Sequence, residues 1–445
     1  MKTVITYGTF DMFHHGHRRL LERAKELGDY LIVGVTADDF DKARGKINVR
    51  QSLMERLEAV QKCDAVDKVI VEEYEGQKID DIARYDVDVF AIGSDWEGRF
   101  DYLKDQCEVV YLPRTEGVSS SELRAEAGAL TIGMVGDGGY LNKVLRESTY
   151  VNGATISVIC TGNREVMSEE VLALPCVTDS YEEMLGAVEA VYVHSHPSLH
   201  YGQVRQALEA GRHVLCESPI AMTVEEAHTL FGLARERNLV LMEALRTAFS
   251  VGYARLLLLL KTGIIGRVVS VDATITNLRS NDDLKKVGME WGSLTAWGPT
   301  AMLPVFQTLG TEYVRKVITT HMEDETRGLD DFTKVDFTYR DAVASVKVGN
   351  GVKSEGELVI SGTKGYVYVA APWWKTDYFE VRFEHPEDNK RYFYQLEGEG
   401  IRYELVAFDK AVRDGKKSAG IAEDVTEAIV KVVEDFSTGK DVVRI

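Results

Sequence analysis

One stretch decides the fold of this chain, and it reads Val4-Ile5-Thr6-Tyr7-Gly8-Thr9-Phe10-Asp11-Met12-Phe13-His14-His15-Gly16-His17. Its first residues are apolar and β-branched, which predicts a buried strand that ends at Gly8. Helical periodicity begins near His17, so His14 and His17 are expected on one face at the start of a helix. A helix N-terminus attracts phosphate, and imidazole N–H groups add donors there. The stretch therefore predicts a phosphate-binding turn rather than two unrelated surface histidines.

Composition and charge limit the classes of protein to which this chain can belong. The 445 residues are enough for two or three domains, and the net charge of −19 argues against broad binding to nucleic acid or to an anionic membrane. Five scattered cysteines without a Cys-x-x-Cys pair indicate free thiols in a reducing compartment. The apolar run Leu256–Leu260 is too short to span a bilayer and predicts a buried helix. We expect a cytoplasmic protein without membrane insertion and without a nucleic-acid partner.

Three regions follow from the order of strand and helix patterns. Residues 1–127 and 128–250 each alternate strands with helices, which predicts two Rossmann-like parallel sheets with right-handed crossovers. Residues 251–445 are rich in longer β patterns and end in a helical segment, which predicts an α+β domain on a largely antiparallel sheet. The predicted fold class is α/β with three domains. Ligands of parallel sheets bind beyond the carboxyl ends of the strands, where His14 and His17 would lie.

Three further loops of the first region carry residues suited to phosphate chemistry. Arg44 and Lys46 follow the second predicted strand and offer two cations to a triphosphate or a phosphorylated acceptor, unless they lie in a solvated loop. Asp95 and Trp96 follow the fourth strand and could contact a ribose and a base, although Trp96 could also only pack. The loop Arg114–Ser121 offers a bidentate guanidinium and a run of serines that cap a helix or bind phosphate.

Together these motifs resemble a known enzyme family. Gly8-Thr9-Phe10-Asp11, His14-x-Gly16-His17 and Arg114-Thr115-x-Gly117-x-Ser119-Ser120 are similar to the signatures of the His-x-Gly-His nucleotidyltransferases. Over residues 1–126 the chain resembles the bacterial glycerol-3-phosphate cytidylyltransferases. The resemblance implies that CTP and a small polyol phosphate give a CDP-alcohol such as CDP-glycerol, with Mg²⁺ bridging the phosphates. The product would serve synthesis of a cell-surface polymer such as a teichoic acid or a capsule.

The resemblance also implies roles for individual residues, although it names no protein ligand for the metal. The residues it places in catalysis are His14, His17, Lys46 and Arg114. Arg44 stands where the closest relatives have a lysine, so the geometry of the acceptor could differ. The residues it places in substrate binding are Thr9, Phe10, His15, Gly16, Arg44, Lys78, Asp95, Trp96, Thr115, Glu116, Gly117, Val118, Ser119, Ser120 and Ser121.

The second region contains an incomplete dinucleotide motif. Gly136, Gly138 and Gly139 follow a predicted strand, but Leu141 stands where the G-x-G-x-x-G fingerprint has its third glycine. The second strand of this region ends at Cys160, and it is not followed by an acid that could bind a ribose hydroxyl. Thr161 and Arg164 could instead favour a 2′-phosphate, or bind no nucleotide.

From residue 130 to 445 the chain resembles the glucose–fructose oxidoreductase and inositol dehydrogenase family. That family has Glu-Lys-Pro where this chain has Glu217-Ser218-Pro219, and Asp-x-Gly-x-His where it has Ala296-Trp297-Gly298-Pro299-Thr300. The usual acid–base groups are thus replaced.

Two interpretations of this region stay open. It is either an active NAD(P)-dependent oxidoreductase on a polyol or sugar, with Gly136, Gly138, Gly139 and Glu217 at the cofactor, or a non-catalytic assembly or regulatory module. His194 and His196 could replace the missing proton acceptors, but they also fit a structural role. Both resembled families commonly dimerise, so we expect a homodimer or a higher homo-oligomer.

Overall fold

The computed structural model describes residues 2–37, 51, 53–74, 76–113, 129–151, 153–278, 290–394, 396, 398–415 and 420–445. Contacts divide the chain into two compact units, an N-terminal unit of residues 1–129 and a C-terminal unit of residues 130–445. The predicted boundary between residues 250 and 251 lies inside the second unit and stays a prediction.

The N-terminal unit is a five-stranded parallel sheet in the order β3-β2-β1-β4-β5. Its central strand is β1, whose apolar residues are buried because helices cover both faces of the sheet. The strands are β1 (Thr3–Gly8), β2 (Tyr30–Thr36), β3 (Lys68–Glu72), β4 (Val89–Gly93) and β5 (Glu108–Leu112), and the helices are α1 (His15–Lys25), α2 (Leu53–Gln61) and α3 (Gln77–Tyr85). The strand order reverses between β1 and β4, and such a switch point opens a crevice at the carboxyl ends of the two strands.

The C-terminal unit begins with a six-stranded parallel sheet in the order β11-β10-β9-β6-β7-β8. Its switch point lies between β6 and β9. The strands are β6 (Leu130–Val135), β7 (Ala154–Cys160), β8 (Cys176–Thr178), β9 (Ala190–Val193), β10 (His213–Glu217) and β11 (Leu241–Ala244), and the helices are α4 (Tyr140–Ser148), α5 (Glu169–Leu172), α6 (Tyr181–Ala187), α7 (Pro197–Glu209), α8 (Val224–Glu236), α9 (Arg246–Phe249) and α10 (Val251–Lys261).

A nine-stranded sheet follows in the order β19-β18-β17-β16-β12-β15-β14-β13-β20. It is largely antiparallel, as predicted, with parallel pairs at β12–β15 and β13–β20. The strands are β12 (Val268–Asn277), β13 (Arg315–Asp324), β14 (Leu329–Thr338), β15 (Val343–Asn350), β16 (Leu358–Gly362), β17 (Tyr366–Val369), β18 (Tyr378–Arg382), β19 (Lys390–Phe393) and β20 (Val442–Arg444), and the helices are α11 (Ser293–Leu309), α12 (Ile401–Asp414) and α13 (Glu423–Ser437). The two parallel sheets and this mixed sheet confirm the predicted fold class.

Two sequence expectations can be compared directly with the structure. The run Leu256–Leu260 lies in α10, but only one side of that helix is covered: Leu256 is fully buried, whereas Leu258 is 55% exposed. The prediction of a buried helix is therefore right for Leu256 and wrong for Leu258. In the described part of the chain, every helix is too short or too polar to cross a membrane.

The five cysteines are free thiols, as their spacing predicts.

Candidate active site

The turn between β1 and α1 has an unusual backbone. Phe10 and Met12 both adopt left-handed conformations, with φ of 52° and 51°. This conformation is energetically unfavourable for residues other than glycine, so the surrounding structure must hold it in place. Gly8 lies directly under the Phe10 ring, because a Cβ at that position would come within 3.0 Å of the ring. A larger residue at position 8 would therefore press on the Phe10 ring.

The histidine pair lies at the start of α1, as predicted. His14 is the N-cap of the helix, and its Nδ1 accepts a hydrogen bond of 3.0 Å from the Gly16 N–H. An imidazole that accepts at Nδ1 carries its proton at Nε2, which makes Nε2 a donor. The rings of His14 and His17 stack with centroids 3.9 Å apart. The capping bond therefore fixes both the tautomer and the position of a donor at the helix N-terminus.

Aromatic packing holds the second histidine. The His17 ring meets the edge of Phe10 at 5.4 Å between centroids and lies 5.8 Å from Phe13. Phe10 itself is buried in the core between the sheet and α1. The left-handed turn thus brings a core side chain against the imidazole, and this explains how Phe10 contributes to the site.

A buried arginine that the sequence analysis missed anchors the turn. Arg56 of α2 is fully buried and donates to the carbonyl oxygens of Thr9 at 2.7 Å, Thr36 at 2.8 Å and Gln51 at 3.2 Å. Thr9 lies in the turn and Thr36 at the end of β2. The signal in the sequence was an arginine one helical turn before Val60, on the apolar side of an amphipathic helix.

A second pair of hydrogen bonds joins the turn between β1 and α1 to the residues just before α2. The Gln51 N–H donates to Asp11 Oδ1 at 3.0 Å, and the Met12 N–H donates to Gln51 Oε1 at 2.7 Å. Asp11 is buried, so its carboxylate serves the turn rather than solvent. Residue 51 and Arg56 therefore hold the backbone of residues 9–12 from one side.

Other predicted residues lie around this turn. Trp96 follows β4, the strand beside β1, and is half-buried against Phe100. His15 is exposed as the first residue of α1, directly before Gly16. The backbone of Asp95 belongs to the same short turn as Trp96, but its side chain is not among the parts that the structure describes.

Lys78, predicted at the acceptor phosphate, lies in a buried network. Its Nζ forms an ion pair with Glu72 and lies 4.5 Å from the centre of the Tyr7 ring. The Tyr7 hydroxyl donates to Asp81 Oδ2 at 2.9 Å, and burial together with this carboxylate raises the pKa of Tyr7 far above its usual value. A phosphate that reached Lys78 would have to share it with Glu72.

The remaining predicted residues belong to two segments outside the described residues, so their assignments stay predictions. They are Arg44, Lys46, Arg114, Thr115, Glu116, Gly117, Val118, Ser119, Ser120 and Ser121. Within the described ranges, the structure brings together Thr9, Phe10, His14 and His17. Those same ranges contain no group of three His, Cys, Asp or Glu side chains that could hold a metal ion.

The predicted dinucleotide turn of the C-terminal unit is tightly packed. A Cβ on Gly136 would lie 2.0 Å from the carbonyl oxygen of His194, so this glycine is explained by contact between the ends of β6 and β9. Gly138 accepts from the Leu141 N–H at 3.2 Å, and Gly139 is the N-cap of α4. Leu141, at the position of the third fingerprint glycine, is fully buried in the core.

Two ring side chains meet at the switch point between β6 and β9. Tyr140 follows β6 and His194 follows β9, and their rings lie 4.6 Å apart across the switch point. Burial holds the pKa of His194 at about 3, so this imidazole is neutral near pH 7. Glu217, at the end of β10, accepts from the Tyr192 hydroxyl at 2.5 Å.

The far end of the same crevice is also occupied. Asp137 Oδ1 accepts from the Thr161 hydroxyl at 3.0 Å and from the Gly162 N–H at 2.7 Å. These donors follow β7, where a Rossmann fold binds the adenosine ribose. With buried Leu141 at the position of the third glycine and no acid directly after β7, the residues present do not match the dinucleotide fingerprint.

Each unit is similar to known proteins. The N-terminal part matches the family model described as cytidylyltransferase-like over residues 5–126. The C-terminal unit matches the model described as an oxidoreductase family with an NAD-binding Rossmann fold over residues 130–245. Both resemblances seen in the sequence are thereby confirmed.

Individual relatives agree with this division. The glycerol-3-phosphate cytidylyltransferase of Bacillus subtilis is 52% identical over 130 residues, which are 29% of this chain and 100% of that protein. The trans-1,2-dihydrobenzene-1,2-diol dehydrogenase of Bos taurus is 26% identical over 275 residues, which cover 59% of this chain and 81% of that protein.

A solved structure shows the fold of the C-terminal unit. The 3-ketoreductase KijD10 from Actinomadura kijaniata, solved in complex with NADP and TDP-benzene, superimposes with a TM-score of 0.62. The match covers 72% of this chain and 100% of that protein at 20% sequence identity, a level at which the likeness concerns the fold alone.

Proposed function

Because the chain belongs, through its N-terminal unit, to the family of the glycerol-3-phosphate cytidylyltransferases, we propose that it transfers the cytidylyl group of CTP to glycerol 3-phosphate. The single observation that carries the proposal is 52% identity over the full length of such an enzyme. The stacked His14 and His17 at the N-terminus of α1 support it, because this turn presents donors where a nucleotide phosphate is expected.

In the proposed reaction a phosphate oxygen of the acceptor attacks the α-phosphorus of CTP. A new phosphorus–oxygen bond forms, the bond from the α-phosphorus to the bridging oxygen breaks, and pyrophosphate leaves with that electron pair. CDP-glycerol remains as the second product. Enzymes catalyse such transfers mainly by positioning the groups and by neutralising charge on the phosphorus oxygens.

The chain's own residues supply both effects in this proposal. Nε2 of His14 and the His17 imidazole donate to oxygens of the α-phosphate, and the backbone of Thr9 and Phe10 contacts the nucleotide. Arg56 holds Thr9 in position without touching the substrates. Lys46 and Arg114 neutralise the triphosphate, while Arg44 and Lys78 take the acceptor phosphate.

The remaining assignments extend the same proposal. His15 and Gly16 line the helix start, and Asp95 and Trp96 contact the ribose and base. The residues Thr115, Glu116, Gly117, Val118, Ser119, Ser120 and Ser121 also contribute to substrate binding. Mg²⁺ supplies further charge neutralisation when bound, and the nucleotide phosphates themselves would be its main ligands. We also propose that the chain acts in the cytoplasm as a homodimer or higher homo-oligomer.

A direct test measures pyrophosphate release by the full chain from CTP and glycerol 3-phosphate. We expect release that depends on both substrates and falls strongly when CTP is replaced by ATP, GTP or UTP. The variant His14→Ala/His17→Ala should lose it, whereas His228→Ala, which removes an exposed histidine of α8, should retain it. Equal release by the double variant and the unmodified protein would refute the proposal.

A further inference from the structure

An exposed carboxylate of the C-terminal unit lies among three cations. Glu399 occupies the turn Gly398–Gly400, whose three residues all have positive φ, of 57°, 55° and 90°. Its carboxylate lies 3.2 Å from Lys375 Nζ, 3.4 Å from Lys143 Nζ and 3.6 Å from the Arg246 guanidinium. Although partial burial alone would raise it, Lys375 and Lys143 hold the pKa of Glu399 below its usual value. We call these four residues the Glu399 site.

The position of the Glu399 site in the fold is that of a ligand site. Lys143 is one turn into α4, the helix that follows β6, and Arg246 is the first residue of α9, which follows β11. Both cations therefore come from the carboxyl edge of the parallel sheet, the edge at which such sheets bind ligands. The side chains of Glu399 and Lys143 are 40% and 43% exposed, so a molecule from solvent can reach them.

Beneath the Glu399 site lies a buried polar layer. The Arg246 guanidinium carbon is 5.3 Å from the centre of the Tyr140 ring, and that ring packs on His194. His194 Nδ1 and Glu404 Oε2 are buried and form no hydrogen bond with other described residues, although His194 Nδ1 lies 3.9 Å from Glu217 Oε1. Glu404 is fully buried, and its other oxygen lies 3.4 Å from the Tyr192 hydroxyl, which also donates to Glu217.

Buried polar atoms without partners are rare, because each loses its hydrogen bonds to water without replacement. Two such atoms in one cluster are therefore a signal that a hydroxylated molecule belongs there. The contact between the Tyr140 and His194 rings narrows the space between β6 and β9, which favours a molecule smaller than a dinucleotide. Arg246 also faces the buried carboxyl groups of Glu217 and Glu404, but Lys143 and Lys375 both face the single carboxylate of Glu399. Two lysines at one carboxylate indicate an anionic ligand, and a phosphate monoester carries more negative charge than the carboxylate it would replace.

We propose that the Glu399 site binds a small hydroxylated phosphate monoester in place of a dinucleotide, and that the Glu399 carboxylate is the internal anion which this ligand displaces. The phosphate would contact Lys143, Lys375 and Arg246, and ligand hydroxyls would reach the unpartnered atoms beneath. This inference concerns the C-terminal unit and does not depend on the cytidylyl transfer proposed for the N-terminal unit. It assigns to the C-terminal unit a role in recognising a polyol phosphate rather than in hydride transfer.

The test is hydrogen–deuterium exchange of the full chain, read by mass spectrometry in peptides covering residues 140–148 and 398–404. The probes are glycerol 3-phosphate, glycerol, inorganic phosphate, NADH and NADPH, each up to about 10 mM. We expect glycerol 3-phosphate to slow exchange in the 140–148 peptide and to change it in the 398–404 peptide. Because the readout is local, glycerol 3-phosphate bound at the N-terminal unit does not interfere, and pyrophosphate release in the same samples reports on that unit separately.

Variants make the test specific. Lys143→Gln/Lys375→Gln should weaken the response to glycerol 3-phosphate at least about 10-fold, and Glu399→Gln, which removes the competing carboxylate, should strengthen it about 5-fold. Lys410→Gln, an exposed lysine of α12, is the matched control. No response at any concentration overturns the proposal, and an equal response to inorganic phosphate shows an adventitious ion only. Protection by micromolar NADH or NADPH instead would restore a dinucleotide site and also overturn it.

Discussion

The imidazole rings of His14 and His17 lie almost face to face, with centroids 3.9 Å apart and planes 23° from parallel. His14 is held by the hydrogen bond from the Gly16 N–H and His17 by the rings of Phe10 and Phe13. Each ring is thus fixed by a different part of the turn. In the proposed reaction such a rigid pair would lose little conformational entropy on binding a phosphate, and its donors would already be oriented for the nucleotide.

The two roles of His14, helix cap and donor, can be separated by substitution. Asparagine is a good N-cap but lacks a nitrogen at the position of Nε2, so His14→Asn should keep the thermal stability and lose at least about 100-fold in kcat. His14→Ala should lose the same activity and about 1 kcal/mol of stability as well. Thermal unfolding and pyrophosphate release measure the two effects. Full activity in His14→Asn would contradict the donor role.

Arg56 should matter for both stability and activity although it does not face the substrates. Arg56→Met leaves the Thr9 and Thr36 carbonyls without their donor, which should cost about 2–4 kcal/mol in the free energy of unfolding. The loosened turn should also lower kcat more than it raises KM for CTP. Urea unfolding and steady-state kinetics check both, and Arg19→Met on the exposed side of α1 is the matched control. Unchanged kcat in a folded variant would rule out a positioning role.

A substitution at Leu141 tests whether this side chain alone prevents the C-terminal unit from binding a dinucleotide. Leu141→Ala shortens the residue at the third fingerprint position toward the small side chain that the motif favours. Because Leu141 is fully buried in the core, this substitution should cost about 2–5 kcal/mol and should not create NADH binding. Denaturant unfolding and NADH fluorescence measure the two outcomes. Gain of tight NADH binding would show that Leu141 alone blocks the crevice.

Asp330 predicts a specific pH dependence of stability. Its carboxylate accepts from the Leu294 N–H at 3.0 Å and from the Thr333 hydroxyl at 2.6 Å, but burial raises its pKa from 3.8 to about 6. The stabilisation from binding this proton is complete below the unfolded pKa and is lost as the pH rises through the folded pKa. Between pH 5 and pH 7 it should therefore fall by about 1 kcal/mol.

The control for this effect is Asp330→Asn, which keeps an acceptor for Leu294 but cannot titrate. The difference in unfolding free energy between the original chain and the variant, measured in urea at pH 5, 6 and 7, isolates the contribution of this carboxyl. A difference that stays constant over this range would contradict the raised pKa.

Local sequence patterns were enough to predict the elements of the fold. The strand at residues 3–8, the helix start near His14 and the change from alternating to β-rich segments all depend on the spacing of apolar residues within one segment. The enzyme family was equally accessible, because the motifs around His14 and Arg114 are short and contiguous. Arg56 was missed because an arginine on the apolar side of a helix has no motif, and its partners lie in other segments.

Patterns in the sequence were thus enough to predict the parallel sheets, the turn with its paired histidines and the family of the N-terminal unit. The contacts made by residues around the dinucleotide motif of the C-terminal unit could be seen only in the tertiary structure. Tyr140 meets His194 because β6 and β9 are neighbours in the sheet, and Arg246 meets Glu399 although 153 residues separate them in sequence. Periodicity fixes which face of its own element a residue occupies, whereas the partner across a crevice depends on strand order and on the path of the loops.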